Sequence, residues 1–234
     1  MDKKTKILRI ILTIVIVTVL AIFLWRLAPF MKGLATTEGQ IAFKEKIDSM
    51  GLGGLFLLFG LQILQILLVI LPGEPFEVLA GMCYGTWGGT LFITISVFIT
   101  TTIIFFTVRK LGQKYLYNFF QKEKVDKIMK SKLLKNPRNI NIVLFILFFL
   151  PATPKDLFVY IGGLLPIKPL RFILISTLVR FPSVITSTMV GANISKGNWE
   201  LSLIIYGVTF VVAAFAIYLI SLKDKNKEII DIMK

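Results

Sequence analysis

Histidine is missing from all 234 residues of this chain, and cysteine occurs once, at Cys83. The first absence excludes imidazole metal sites, Ser-His catalysis and histidine proton relays. Proton chemistry must run through carboxylates, and no nucleophile and base are paired in a way that would assign an enzyme. The second absence excludes an internal disulfide and a thiolate metal cluster, so neither a metal nor a cofactor is expected. Acid is scarce as well: 13 Asp+Glu stand against 27 Lys+Arg, a formal net charge of +14. Abundance lies elsewhere, in the 56% of positions that are hydrophobic and a mean hydropathy of +0.80. No soluble domain of this size has that composition. The chain is read as an integral membrane protein.

The basic excess does not point to nucleic acid, because the bases sit at the ends of apolar runs. Lys3, Lys4, Lys6 and Arg9 precede the stretch 7–28, ten bases fall within 109–138, and Lys223, Lys225, Lys227 and Lys234 follow the last run. This is the pattern of cytoplasmic flanks under the positive-inside rule, a solvated face that also attracts anionic headgroups. Lipid is the expected partner.

One motif occurs twice. Leu71-Pro72-Gly73-Glu74-Pro75-Phe76-Glu77 recurs as Leu150-Pro151-Ala152-Thr153-Pro154-Lys155-Asp156, each copy following an apolar run. Two prolines and an acid are wrong for a simple spanning helix. Proline removes a donor and clashes with the preceding turn, and a charge at bilayer depth costs about 2.5–3.5 kcal/mol. Irregular backbone at that depth persists only where protein or a wet cavity surrounds it. A duplicated pair of interrupted hydrophobic segments is the sequence sign of a site near the midplane. The turns are placed at Pro72, Gly73 and Pro75, and at Pro151, Thr153 and Pro154.

Charge then selects the topology. Stretch 7–28 is a first span with its basic flank inside, and 36–50 is a short polar helix on the outer surface. If 52–71 crossed fully and 87–108 crossed back, the ten bases of 109–138 would face outward. A hairpin over 55–85 that enters and leaves on one side, followed by a span over 87–108, keeps them cytoplasmic. A second hairpin over 140–165 enters from the other side, 172–190 crosses outward, and 201–222 returns. The expected fold is therefore all-α: a polytopic membrane protein with two re-entrant helical hairpins in an inverted repeat, plus full transmembrane helices. Its parts are residues 1–50 (first span and surface helix), 51–193 (the repeat) and 194–234 (last span and tail), with both termini cytoplasmic. Trp87, Trp199 and Tyr206 suit an aromatic belt at the span ends.

The repeats also suggest chemistry. Glu74 or Thr153 is placed at a helix N-cap, Pro75 or Pro154 at the first helical position, and Glu77 or Asp156 at the third. Two readings stay open: the acids only cap half-helices, or two helix N-termini make an anion site suited to a phosphate headgroup. In the second, Lys155 and Arg180 supply positive charge. Arg180 lies among apolar neighbours within the 172–190 span and is expected to pair with Asp156, Glu74 or Glu77. Gln62 and Gln65 share a helical face, with packing between helices the more ordinary reading and a polar path the other, while Gly81, Gly85, Gly88 and Gly89 are read as close-packing positions.

These residues resemble a known family. The Pro-x-x-Pro-x-acid hairpin leading into Ala80-Gly81 and Gly85, with Pro151-x-x-Pro154-Lys155-Asp156, Tyr160 and Gly162-Gly163, is similar to the DedA superfamily. The nearest branch is that of SNARE-associated Golgi or VTT-domain proteins, and the likeness covers about 54–193. The resemblance implies two facing re-entrant hairpins and lipid movement between leaflets: phospholipid scrambling in some members, recycling of a polyprenyl phosphate in bacterial ones. It also implies arginines beside the second hairpin; here Phe148 and Phe149 precede Pro151, and the nearby bases are Lys155 and Arg180. The expected function is a lipid transporter of a bacterial cell membrane, linked to protons through Glu77 and Asp156. The alternatives are an ion- or proton-coupled solute transporter and a non-transporting assembly factor.

Overall fold

A computed structural model describes residues 37–68, 73–131, 134, 140–150, 153 and 155–223. The expected first span 7–28, Pro72, Pro151, Pro154, Arg138 and the tail beyond Lys223 lie outside the described residues. The chain divides into two compact units, 1–46 and 47–234. Of the first, the structure describes the opening turns of helix α1 (Thr37–Ser49), which matches the short helix expected over 36–50. Everything below belongs to the second unit.

Helix α2 (Leu52–Leu68) carries no charge in its first or last turn, and it buries Leu58, Gln62, Gln65 and Ile66. Spacings of three and four put these on one face. Helix α3 (Glu74–Leu111) follows, 38 residues long. Straight, it would measure about 57 Å, nearly twice the hydrocarbon thickness of a bilayer. It is not straight. Gly85 has φ 70° and ψ 179°, a backbone open to glycine and closed to side chains. The limb beyond it turns back on the first, so that a Cβ on Gly89 would lie 2.8 Å from the Ala80 carbonyl. The break falls where the sequence reading ended one segment at 85 and began a span at 87.

The segment after Arg109, read as a solvated basic face, keeps Lys110, Lys122, Lys127 and Lys130 exposed and folds as α4 (Gln113–Leu116) and α5 (Lys122–Lys130). Leu116, Val125 and Ile128 bury themselves in the core. Asp126 fastens the two pieces by accepting from Gln113 Nε2 at 2.8 Å and from Tyr117 Oη at 2.7 Å. The latter bond holds the Tyr117 phenol proton and raises its pKa above the ordinary tyrosine value.

The second half supplies α6 (Ile140–Phe149), α7 (Lys155–Gly162), α8 (Pro169–Leu178), α9 (Phe181–Ile194) and α10 (Trp199–Lys223). The span expected over 172–190 is thus two helices. Val179 and Arg180 form a turn between α8 and α9, and Pro182, in the first turn of α9, withholds a backbone donor there. Three stretches are long and apolar enough to cross a membrane among the described residues: Glu74–Leu111, Pro169–Ile194 taken across that turn, and Trp199–Ala216.

The core forms where the second limb of α3 meets α6, α7 and α8. Phe172 stacks on Phe105 with ring centroids 5.1 Å apart and meets Phe148 edge-on at 6.0 Å. The first limb of α3 is locked against α9 by small residues, as membrane helices require when no hydrophobic drive separates lipid from protein. A Cβ on Gly81 would collide with the Thr188 backbone, and one on Gly191 with the Val78 carbonyl. Thr90, just into the second limb, shares a buried hydrogen bond of 2.7 Å with Thr188 of α9.

Candidate functional site

The start of α3, the start of α7 and the turn between α8 and α9 converge, and with them come all five charged residues singled out in the sequence. Arg180 is 6% exposed. Its Nη1 lies 3.3 Å from Asp156 Oδ1, and its guanidinium carbon sits 5.0 Å above the Phe148 ring centre, in cation–π contact. Asp156 Oδ2 accepts from Gln65 Nε2 at 2.8 Å. One carboxylate therefore ties α7 to α2 and to the α8–α9 turn. Lys155 donates to Ser183 Oγ at 2.6 Å. Lys155, Arg180 and Glu74 all act electrostatically on Glu77, and nearby Ser187 donates to the Ser183 carbonyl at 3.1 Å. Glu74 is exposed at the first position of α3. Tyr206 of α10 is exposed and feels the charges of Glu77 and Glu74.

The vacancies matter as much as the contacts. Arg180 Nε and Nη2 have no hydrogen-bond partner among the described residues. These two nitrogens form one side of the guanidinium fork, the edge that engages two oxygens of a carboxylate or phosphate in parallel. A buried, unmet donor pair costs free energy, and an acceptor with one or two oxygens facing this edge removes that cost. Three acids, Glu74, Glu77 and Asp156, meet two bases, Lys155 and Arg180, so with all five ionised the cluster carries one net negative charge.

Two expectations about the helix starts are overturned. The N-cap of α3 is Gly73, not Glu74, and the amides of Phe76 and Glu77 donate to its carbonyl. Glu77 is consequently one position further into the helix than a capping box requires. Thr153 faces backwards: its hydroxyl lies 2.6 Å from the Leu147 carbonyl and 3.0 Å from that of Leu150. Those carbonyls end α6 and would otherwise be orphans. Thr153 closes the preceding helix, and Asp156 spends its oxygens on Gln65 and Arg180. The capping roles fall away, and the ion cluster keeps the acids. Pro75, expected at the first helical position, is the second residue of α3, still within its first turn.

Sequence reasoning missed Ser183 and Ser187, although they stand three and seven positions after Arg180 and so share its helical face. It also missed Arg109, whose Nε, Nη1 and Nη2 donate to the carbonyls of Gly163, Ile167 and Leu165 at 3.0, 3.2 and 2.7 Å. A base at the end of a span satisfies the positive-inside rule by itself, and nothing in the sequence sets this one apart.

The VTT domain matches residues 71–193, a segment that runs from the first proline motif to the end of α9. A protein of Bacillus subtilis (strain 168), "Uncharacterized protein YqeD", is 25% identical over 187 residues, covering 76% of this chain and 87% of that protein. No solved structure matches. Apolar helices of spanning length and the matched domain together make this a multi-pass membrane protein that belongs to the VTT-domain, or DedA, family.

Proposed function

We propose that this protein moves a lipid with an anionic headgroup, a phospholipid or a lipid-linked phosphate, between the two leaflets of a bacterial cell membrane. The observation that carries the reading is the vacant Nε–Nη2 edge of buried Arg180, beside Lys155 and at the meeting of two interrupted helices. Asp156 holds the other side of the guanidinium, so the headgroup enters without first breaking that pair. The transporter makes and breaks no covalent bonds.

Re-entrant hairpins in an inverted repeat give the site its depth in this reading. Helices α6 and α7, of 10 and 8 residues, reach only about 15 and 12 Å against a hydrocarbon layer of about 30 Å. The first limb of α3, ending at Gly85, is similarly short. Glu77 lies beside the cations that an anion would occupy, and proton uptake there offsets the charge brought in. Transport is therefore coupled to protons through a carboxylate.

Arg180→Lys in proteoliposomes with labelled lipid tests the reading. Lysine keeps a charge for Asp156 but has no fork. Loss of a charge-assisted pair of hydrogen bonds is expected to slow lipid movement about 10- to 100-fold. Movement at the parent rate would overturn the assignment, and transport of a water-soluble anion without lipid would move the protein to the solute class.

A further inference from the structure

A second site lies at the other end of the α3–α8 contact. The end of α3 and the Gly163–Pro169 segment enclose an open groove of about 670 Å³. Arg109 and Lys168 line it, and no lining residue is acidic. Arg109 uses three of its N–H groups on the carbonyls of that segment; a guanidinium has five. Lys110 and Arg171, both exposed, stand beside the two lining bases, Arg171 one turn along α8 from Lys168.

Below this basic mouth the surface is apolar. On α3, Ile99, Ile103 and Phe106 are exposed at spacings of four and three; on α8, Leu170, Leu174 and Leu178 are exposed at spacings of four. Each set makes a ridge along one helix face. The two helices lie side by side, fastened by the Phe105–Phe172 stack, so the ridges run away from one groove. About 18 Å of helix separates Lys168 from Arg180, which makes this a site apart from the ion cluster.

An acid-free basic groove above two hydrocarbon ridges fits one kind of ligand, an amphiphile with an anionic head. We infer that the groove holds the headgroup phosphate of an anionic bilayer lipid, whose chains lie along the ridges. The lipid is resident: it anchors the Arg109–Lys168 end at the membrane surface.

Native mass spectrometry of the purified full chain, titrated with phosphatidylglycerol or phosphatidylcholine, tests the assignment. The parent is expected to bind phosphatidylglycerol more tightly. The double variant Lys168→Gln/Arg171→Gln should lose about 30-fold in that affinity, each basic residue near the phosphate being worth roughly a factor of five. Lys196→Gln, at the far end of α9, should leave it unchanged. Should the double variant aggregate, Lys168→Gln alone decides, by an expected loss of about five-fold. Equal binding of the two lipids, or parent-like affinity in the Lys168 variants, overturns the inference. Displacement of phosphatidylglycerol by inorganic phosphate alone does so too, since it would mark a free-anion site.

Discussion

Arg180 is held by one carboxylate and one aromatic ring, and it is the most exposed to error of any residue in the core. Deleting one member of a buried pair leaves an uncompensated charge and costs about 3–5 kcal/mol, whereas deleting both can be nearly neutral. Arg180→Leu is accordingly expected to lower the melting temperature in detergent sharply, and Arg180→Leu/Asp156→Asn to recover much of the loss. A double variant no more stable than the single one would show that Asp156 is not the partner that matters. The pairing was legible in the sequence by elimination: a charge among Leu178, Val179 and Phe181 needs an acid, and few acids are on offer. The capping roles were misread for a different reason. Spacing along the chain cannot tell whether Thr153 caps the helix that follows it or the one before, and in the fold the carbonyls of Leu147 and Leu150 claim its proton.

Among the elements, the contact of α3 with α9 leaves least room for change. Gly191 lies where its Cβ would strike the Val78 carbonyl, and Gly81 meets the Thr188 backbone. Neither obstacle is a flexible side-chain tip. Gly191→Ala is thus expected to force the helices apart and destabilise by about 1–3 kcal/mol, the range for overpacking, with Gly207→Ala of α10, where nothing lies within 4 Å, close to neutral. Comparing thermal unfolding of the two variants checks this. Small residues at Gly81 and Gly89 did signal close packing, and the boundary near 85 was visible as a change from motif to continuous apolar run. The turn at Val179 and Arg180 was not. Pro182 was in plain view, but a proline early in a helix and a proline that breaks a span look alike until a neighbouring helix fixes which it is. The folding of α4 and α5 was hidden similarly, because Val125, Ile128 and Met129 are three apolar positions among the six charges of α5.

At the scale of the whole molecule, all-helical architecture and membrane residence followed from composition and from the placement of charge. The orientation read from the bases carries its own prediction. With Cys83 replaced by serine, cysteines introduced at Lys122 and Lys130 are expected to react with a membrane-impermeant maleimide only after cells are opened. Labelling from outside intact cells would reverse the topology and detach the hairpins from the inverted repeat. Arg109 bears on how such a molecule can move. It joins the last turn of α3 to three consecutive alternate carbonyls beyond α7, and Phe105 beneath it is stacked on Phe172 of α8. Early and late parts of the chain are riveted together at that end. That clasp joins residues 54 to 58 positions apart in the chain, so a shift of α3 against α8 leaves their Arg109 end together.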